Sequence, residues 1–125
     1  RLATPLAGLL YRAATGSLDL AEDLRWGEGA AVAVVMAAEG YPGTPRTGDV
    51  IAGIAEAEAL DGVRVLQAGT AYDGEGRLIT AGGRVLAVVG TGHDQAEARA
   101  RAYEGAGHIR WSGVFHRSDI ARIAE

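Results

Sequence analysis

The stretch RVLAVVGTGHDQAEARARAYEGAGHI, residues 84–109, sets two periodicities side by side. Arg84 to Val89 is apolar and rich in β-branched valine, the composition of a strand packed against a covering layer. Asp94 and Glu97 then stand three apart, a capping-box-like pair that opens a helix by satisfying its first free N–H groups. That helix carries Ala96, Ala100 and Tyr103 along one line, opposite Arg99, Arg101 and Glu104, and Gly105 and Gly107 weaken its end. Gly90-Thr91-Gly92 reads as the turn between the two elements. A dinucleotide-binding turn requires a third glycine at residue 95, where Gln95 stands, and Asp94 puts a negative charge where the phosphate would sit. The turn is therefore structural.

Outward from this unit, Leu78–Thr80 reads as a strand joined to Arg84–Val89 through Ala81-Gly82-Gly83. Val63–Leu66 reads as another, and Asp73-Gly74 signals a tight turn. Ala30–Ala37 is apolar without alternation and holds Val32, Val34 and Val35, which predicts a strand covered on both faces, with a buried helix left open by its alanines. Gly40–Asp49 is a loop, and Ile51–Leu60 holds a short helical turn. At the start, Thr4 supplies an N-cap hydroxyl and Pro5 the first helical position. Leu6, Leu9, Leu10 and Ala13 follow at helical spacing, Gly16 ends that helix, and its apolar face must be buried. Asp19–Arg25 reads as a polar helical turn before Trp26. Ser118 or Asp119 caps a short terminal helix through Ile123. Gly27 and Gly29 mark a boundary that divides residues 1–28 from residues 29–125. The fold class is α+β: a small antiparallel sheet with one helix packed across it.

The 125 residues are enough for one domain with a core, and 48% hydrophobic against 22% charged residues is ordinary globular composition. A net charge of -4 argues against a general nucleic-acid or anionic-membrane binder. The longest apolar run, Gly29–Ala38, falls short of the roughly 20 residues a membrane helix needs, and no secretory layout precedes it. The absence of cysteine excludes disulfide and thiolate chemistry and fits a cytoplasmic protein. All 12 Lys+Arg residues are arginine, so no phosphate-loop or Schiff-base lysine comes from this chain. The chain opens at Arg1 without an initiator methionine and enters a helix pattern at once, which leads us to expect part of a longer protein.

The leading functional candidate is the loop Tyr41-Pro42-Gly43-Thr44-Pro45-Arg46-Thr47-Gly48-Asp49. Its prolines fix the backbone, its glycines permit close approach, and Arg46 and Asp49 place opposite charges on a rigid frame. Arg46 offers paired donors to a phosphate or ribose; alternatively, Asp49 caps a turn and Arg46 is solvated. Arg84 begins an apolar strand, and a half-buried guanidinium requires an anion, either a ligand or an acid such as Glu39 or Asp49. His93, His108 and His116 are too far apart for a local metal motif and read as surface or capping residues. Glu56 and Glu58, two apart, make a poor catalytic pair. Trp26, Trp111 and Phe115 read as core or interface anchors. Gly-x-Ser-x-Gly is absent.

Several strings are distinctive in their order. Val34-Val35-Met36-Ala37-Ala38-Glu39-Gly40-Tyr41-Pro42-Gly43 and Gly48-Asp49-Val50-Ile51 are followed by Ala57-Glu58, Gly62-Val63 and Ala68-Gly69-Thr70. Gly82-Gly83-Arg84-Val85-Leu86, Arg101-Ala102-Tyr103 and Arg117-Ser118-Asp119-Ile120 complete the set. Together they resemble the C-terminal domain of the phosphoribosylamine–glycine ligases, ATP-grasp enzymes of purine synthesis. Arg1-Leu2 and Leu6 look like the helix that closes the family's ATP-grasp domain. The chain departs from the family's usual residues at Pro5, Gln67, Ala81, His116 and Ala121.

The resemblance implies a fragment of an ATP-dependent carbon–nitrogen ligase, inactive alone, that joins glycine to 5-phosphoribosylamine in the cytoplasm. Residues 1–28 would be the tail of the ATP-grasp domain and its linker, and residues 29–125 the C-terminal domain. ATP and Mg2+ would be held mainly by parts preceding Arg1. The chain's partners would be the enzyme's own preceding domains and the substrates phosphoribosylamine and glycine, with no nucleic acid or membrane. No catalytic residue or metal ligand is assigned here; Tyr41, Pro42, Arg46, Asp49, Gly83 and Arg84 would form the substrate-side wall. Two rival readings are the C-terminal domain of a biotin-carboxylase-like enzyme, similar over Arg84–Ile109, and a free-standing binding module.

Overall fold

The structure is a computed structural model that describes residues 1–20 and 23–122, with nothing stated for the Leu20 side chain. It is α+β. Three strands, β1 (Ala30–Ala37), β2 (Val63–Gln67) and β5 (Arg84–Gly92), form an antiparallel sheet in the order β1-β5-β2. β3 (Thr70–Tyr72) and β4 (Leu78–Thr80) make a separate hairpin. Helix α3 (Gln95–His108) lies across the larger sheet, α2 (Ile54–Glu58) packs beside it, and α1 (Leu6–Ala14) stands near the start.

β5 is the central strand, and its inward side chains make rungs with both neighbours. Val34, Val88 and Val65 align in one rung, and Met36, Leu86 and Gln67 in the next. Val34, Met36, Leu86 and Val88 are almost wholly excluded from solvent, and these large side chains form the floor of the core. The third rung is Val32, Gly90 and Val63, and here the centre is empty of side chain. A Cβ on Gly90 would stand 2.2 Å from the carbonyl oxygen of Ala98 and 2.4 Å from the nitrogen of Ala102. The backbone of α3 thus rests on the backbone of β5. Gly105 completes the fit from the helix side, since a Cβ there would meet Val63 and Val88 at 2.7 and 3.0 Å.

This contact corrects two expectations. The buried line of α3 is Ala98, Ala102, Gly105 and Ala106, not Ala96, Ala100 and Tyr103. Ala96 and Ala100 face solvent, because closeness of approach rather than bulk selects the inward residues. Gly90-Thr91-Gly92 is not a turn but the end of β5, which runs on to pair Gly92 with Ala30. β1 has the expected limits, but its burial alternates: Ala31, Ala33 and Val35 are exposed on the face away from α3. β4 does not pair with β5; it pairs with β3, whose three residues the sequence reading left unassigned.

Residues 1–4 are tied to residues 25–27. The Ala3 N–H donates to the Arg25 carbonyl at 2.8 Å, and the Gly27 N–H donates to the Arg1 carbonyl at 2.7 Å. The Thr4 hydroxyl accepts from the Arg25 N–H at 2.7 Å instead of capping α1, whose N-cap position is Pro5. α1 has no buried residue, and Leu6 and Leu10 are exposed. Gly16, at φ +67°, ends it as expected. Leu18–Leu20 is a single 3-10 turn, and the rest of the Asp19–Arg25 expectation falls partly on residues 21–22, outside the described residues. Residues 118–122 make a turn in which the Arg122 N–H donates to the Asp119 carbonyl; Ile123 lies outside the described residues. Trp111 belongs to the core, whereas Trp26 and Phe115 are exposed. Among the described residues no helix is long and apolar enough to cross a membrane.

The N-terminus of α3 carries its own charge network. Asp94 accepts from the Glu97 N–H at 2.9 Å, while Glu97 accepts from the His93 N–H at 2.7 Å. The His93 ring sits between the Glu97 carboxylate and Asp94, the latter at 3.1 Å. The hydrogen bond to Glu97 and the nearby negative charges raise the His93 pKa above its ordinary value, and the same bonds lower that of Glu97. Arg101 ties Glu97 at 2.9 Å to the Thr91 carbonyl at 2.7 Å, which joins the helix to the end of β5.

Two outcomes follow from this packing. Gly90→Ala destabilises the chain by about 3 kcal/mol or more in urea unfolding, because its methyl meets helix backbone that has no rotamer to yield. Gly107→Ala, with nothing within 4 Å of its Cβ, stabilises it by roughly 0.5–1 kcal/mol by the loss of unfolded-state freedom. His93 titrates above the ordinary histidine value in NMR. Its stabilising contribution is complete below the unfolded pKa and is lost as pH rises through the folded one, whereas that of Glu97 is lost as pH falls through its lowered pKa. His93→Gln removes the alkaline limb that His93 supplies and reduces, without abolishing, the acid limb of Glu97, which keeps its bond from the residue 93 N–H.

Candidate functional site

Beyond β1 the chain reverses through residues 38–49 and is fastened to the β4–β5 connection at each end. The Ala38 N–H donates to the Gly83 carbonyl at 2.9 Å. At the far end the Gly48 N–H donates to the Thr80 carbonyl at 2.7 Å, the Thr80 N–H to the Asp49 carbonyl at 2.9 Å, and the Asp49 N–H to the Thr80 hydroxyl at 3.1 Å. Thr80 is 1% exposed, a buried polar residue whose hydroxyl is part of this latch. Between the fastenings the loop folds tightly. Gly40 has φ +86°, and a Cβ there would stand 2.3 Å from the Thr44 carbonyl oxygen. The Arg46 N–H donates to the Glu39 carbonyl at 2.8 Å, and the Tyr41-Pro42 peptide is cis.

Of the six expected site residues, Tyr41 and Gly83 touch at one end of this loop. The Tyr41 ring lies on Gly83, where a Cβ would approach Tyr41 Cδ2 to 2.6 Å, and Pro42 and Arg84 adjoin that contact. Glycine at 83 is therefore a packing requirement. Arg84 itself is exposed, not half-buried, and it makes no ion pair with Glu39 or Asp49. Its side chain rims a hollow of about 400 Å³ shared with Val35, Ala68, Leu86 and Ala87. The strand start is set by Gly69, whose N–H donates to the Arg84 carbonyl at 2.9 Å.

Arg46 and Asp49 form a second group. The Arg46 guanidinium donates to Asp49 Oδ1 at 2.7 Å and to Glu39 Oε2 at 3.4 Å. Arg46 is a half-exposed guanidinium paired with two carboxylates. Asp49 Oδ2 is buried and has no hydrogen-bond partner. Thr80 and the pairing role of Glu39 with Arg46 were not read from the sequence. The one available signal for Thr80 was a hydroxyl residue closing a short strand just before Ala81-Gly82-Gly83. Among the described residues no group of three His, Cys, Asp or Glu side chains is placed to hold a metal ion.

The comparisons with known proteins fall on the same segments. Residues 31–123 match the family described as "Phosphoribosylglycinamide synthetase, C domain". The phosphoribosylamine–glycine ligase of Streptomyces coelicolor is 54% identical over 126 residues, a match that covers 99% of this chain and 30% of the relative. That of Mycobacterium tuberculosis is 53% identical over 125 residues, covering 99% of this chain and 28% of the relative. A crystal structure of phosphoribosylamine–glycine ligase from Thermotoga maritima superposes with a TM-score of 0.69 at 35% identity, over 89% of this chain and 27% of that one. The chain therefore spans less than a third of the length of the relatives it matches. The chain belongs to the phosphoribosylglycinamide synthetase C-domain family.

Proposed function

We propose that this chain is the C-terminal part of an ATP-dependent ligase that joins glycine to 5-phosphoribosylamine, giving glycinamide ribonucleotide, ADP and phosphate in the second step of purine synthesis. The reading is supported by identity above 50% along nearly the whole chain to ligases of that name. Residues 29–125 are the C-terminal domain. Residues 1–28, all of which precede the matched family segment, are the end of the preceding ATP-grasp domain and its linker. The enzyme works in the cytoplasm, where its substrates are made.

ATP and Mg2+ are held mainly by the preceding domains; the chain itself has no lysine to meet a nucleotide phosphate. This chain's own work is binding and positioning. Arg84, a guanidinium without an ion pair among the described residues, is the group that meets the phosphate of phosphoribosylamine, to which it offers paired donors. Tyr41 and Gly83 set where that guanidinium starts, because the ring packs on the glycine next to it. Arg46, Asp49 and Glu39 hold the loop in shape, and the outer edge of Arg46 and the Pro42 turn complete the substrate-side wall.

The whole ligase is expected to release ADP only when glycine and phosphoribosylamine are both present; ADP release independent of glycine contradicts the assignment. In that enzyme Arg84→Ala raises KM for phosphoribosylamine about 10- to 100-fold, the loss of a charge-assisted pair, while KM for glycine stays within about twofold. An unchanged KM for phosphoribosylamine removes Arg84 from the site. Thr80→Val leaves the Asp49 N–H without its side-chain acceptor and lowers stability by about 1–2 kcal/mol in chemical unfolding.

A further inference from the structure

The turn at residues 111–114 is pinned on both sides. Before it, Arg110 and Ala52 exchange two backbone hydrogen bonds, each at 2.9 Å. After it, Ala37 and Phe115 exchange another two, at 2.7 and 3.0 Å. Ile109 and Trp111 are buried in the core, and the Val114 N–H donates to the Trp111 carbonyl across the turn. The tip is Gly113, at φ +73°. It faces the root of the Glu39 side chain: a Cβ on Gly113 would stand 2.7 Å from Glu39 Cβ and 2.9 Å from Glu39 Oε2. The first of these atoms is fixed to the backbone and has no rotamer by which to withdraw. Glu39 in turn holds residue 46 twice. Its carbonyl accepts from the Arg46 N–H at 2.8 Å, and its Oε2 pairs with the guanidinium at 3.4 Å.

We infer that Gly113 is a positioning residue for the substrate-side wall: the bare tip of this turn seats Glu39, and through Glu39 it sets where the Arg46 guanidinium points. The inference rests on the reading of the Arg46 loop as part of the ligase site. Two separate demands meet at Gly113. Its left-handed φ favours glycine, and asparagine meets that demand at little cost. The absence of a side chain is the second demand, made by Glu39, and asparagine fails it. With a Cβ at 113 it is Glu39 that yields, because its side chain is exposed whereas the turn is held between bridges and buried flanks. The carbonyl that receives the Arg46 N–H then moves, and the guanidinium is left to Asp49 alone. Held at one carboxylate instead of two, it rotates about that contact, and its outer edge no longer presents preorganised donors to the substrate.

Gly113→Asn in the whole ligase tests this. KM for phosphoribosylamine is expected to rise about 3- to 10-fold, with kcat and KM for glycine within about twofold, the pattern of lost uniform binding. In a Glu39→Gly background, which lacks both the Cβ and the carboxylate, Gly113→Asn adds no further change in KM. Glu39→Gln keeps the shape of the side chain and weakens only the ion pair, and it raises the same KM by about threefold. Independently of turnover, the Arg46 N–H exchanges with solvent about tenfold or more faster in Gly113→Asn than in the parent enzyme. Unchanged exchange overturns the inference whatever the kinetics. An equal rise in KM with and without Glu39 also overturns it, since residue 113 then acts by another route. So does an unchanged KM in either Gly113→Asn or Glu39→Gln where Arg46→Ala raises it, and the second of these decides the matter even if the first variant does not fold. Faster exchange with KM unchanged in every variant, Arg46→Ala included, counts against the substrate reading of the loop and leaves the seating of Glu39 on Gly113 standing.

Discussion

The structure depends on one close contact, the backbone of α3 lying on the backbone of β5 at Gly90. A residue with any side chain there would hold the helix away from the sheet, and the alanines at 98, 102 and 106 would then be too short to fill the gap. With glycine, those alanines reach the sheet, and valine, leucine and methionine from the strands supply the bulk of the core. The arrangement inverts the usual division, in which the helix brings the large side chains. Gly53 repeats the device at the other end of α3, where a Cβ would stand 1.9 Å from the His108 carbonyl oxygen. The helix is thus located by close backbone approach at both ends.

From β5 the constraint passes to the candidate site. Once the strand is fixed, its first residue and the Gly83 carbonyl before it are fixed too, and that carbonyl receives the Ala38 N–H. The loop between Ala38 and Asp49 has two anchors, the sheet at one end and Thr80 at the other. Within it the charges of Glu39, Arg46 and Asp49 are spent largely on one another. Arg84, on the rigid strand, keeps its charge available. The loop is thus a frame of paired charges, whereas Arg84, on the sheet, has no ion pair among the described residues.

Much of this was legible in the sequence. The limits of β1, the cap of α3 at Asp94, the helical turn near Ile54 and the left-handed Gly16 each rest on local rules that act within a few residues. What failed was tertiary. A helix in which nearly every second or third residue is alanine or glycine has no strong apolar line of its own, so its inward face was decided by the strand beneath it. Gly90 and Gly92 look like turn residues until a second backbone is known to lie over both of them. β3 is three residues long and is held mainly by its partner, which gives no periodicity to read. Tyr41, Pro42, Arg46 and Asp49 were read as a group because the loop is contiguous. The pairing of Arg46 was not visible, since it depends on which carboxylates the fold brings to which arginine.

The central claim is that the loop bearing the candidate site is part of the core's cooperative unit and not a mobile surface segment. Native-state hydrogen exchange measures this directly. The Ala38 and Thr80 N–H groups, which join the loop to the β4–β5 connection, are predicted to share the protection of the Val88 N–H at the centre of β5 and to open with it as denaturant is raised. Exchange of Ala38 and Thr80 by local opening, at free energies well below that of Val88 and insensitive to denaturant, would contradict the account.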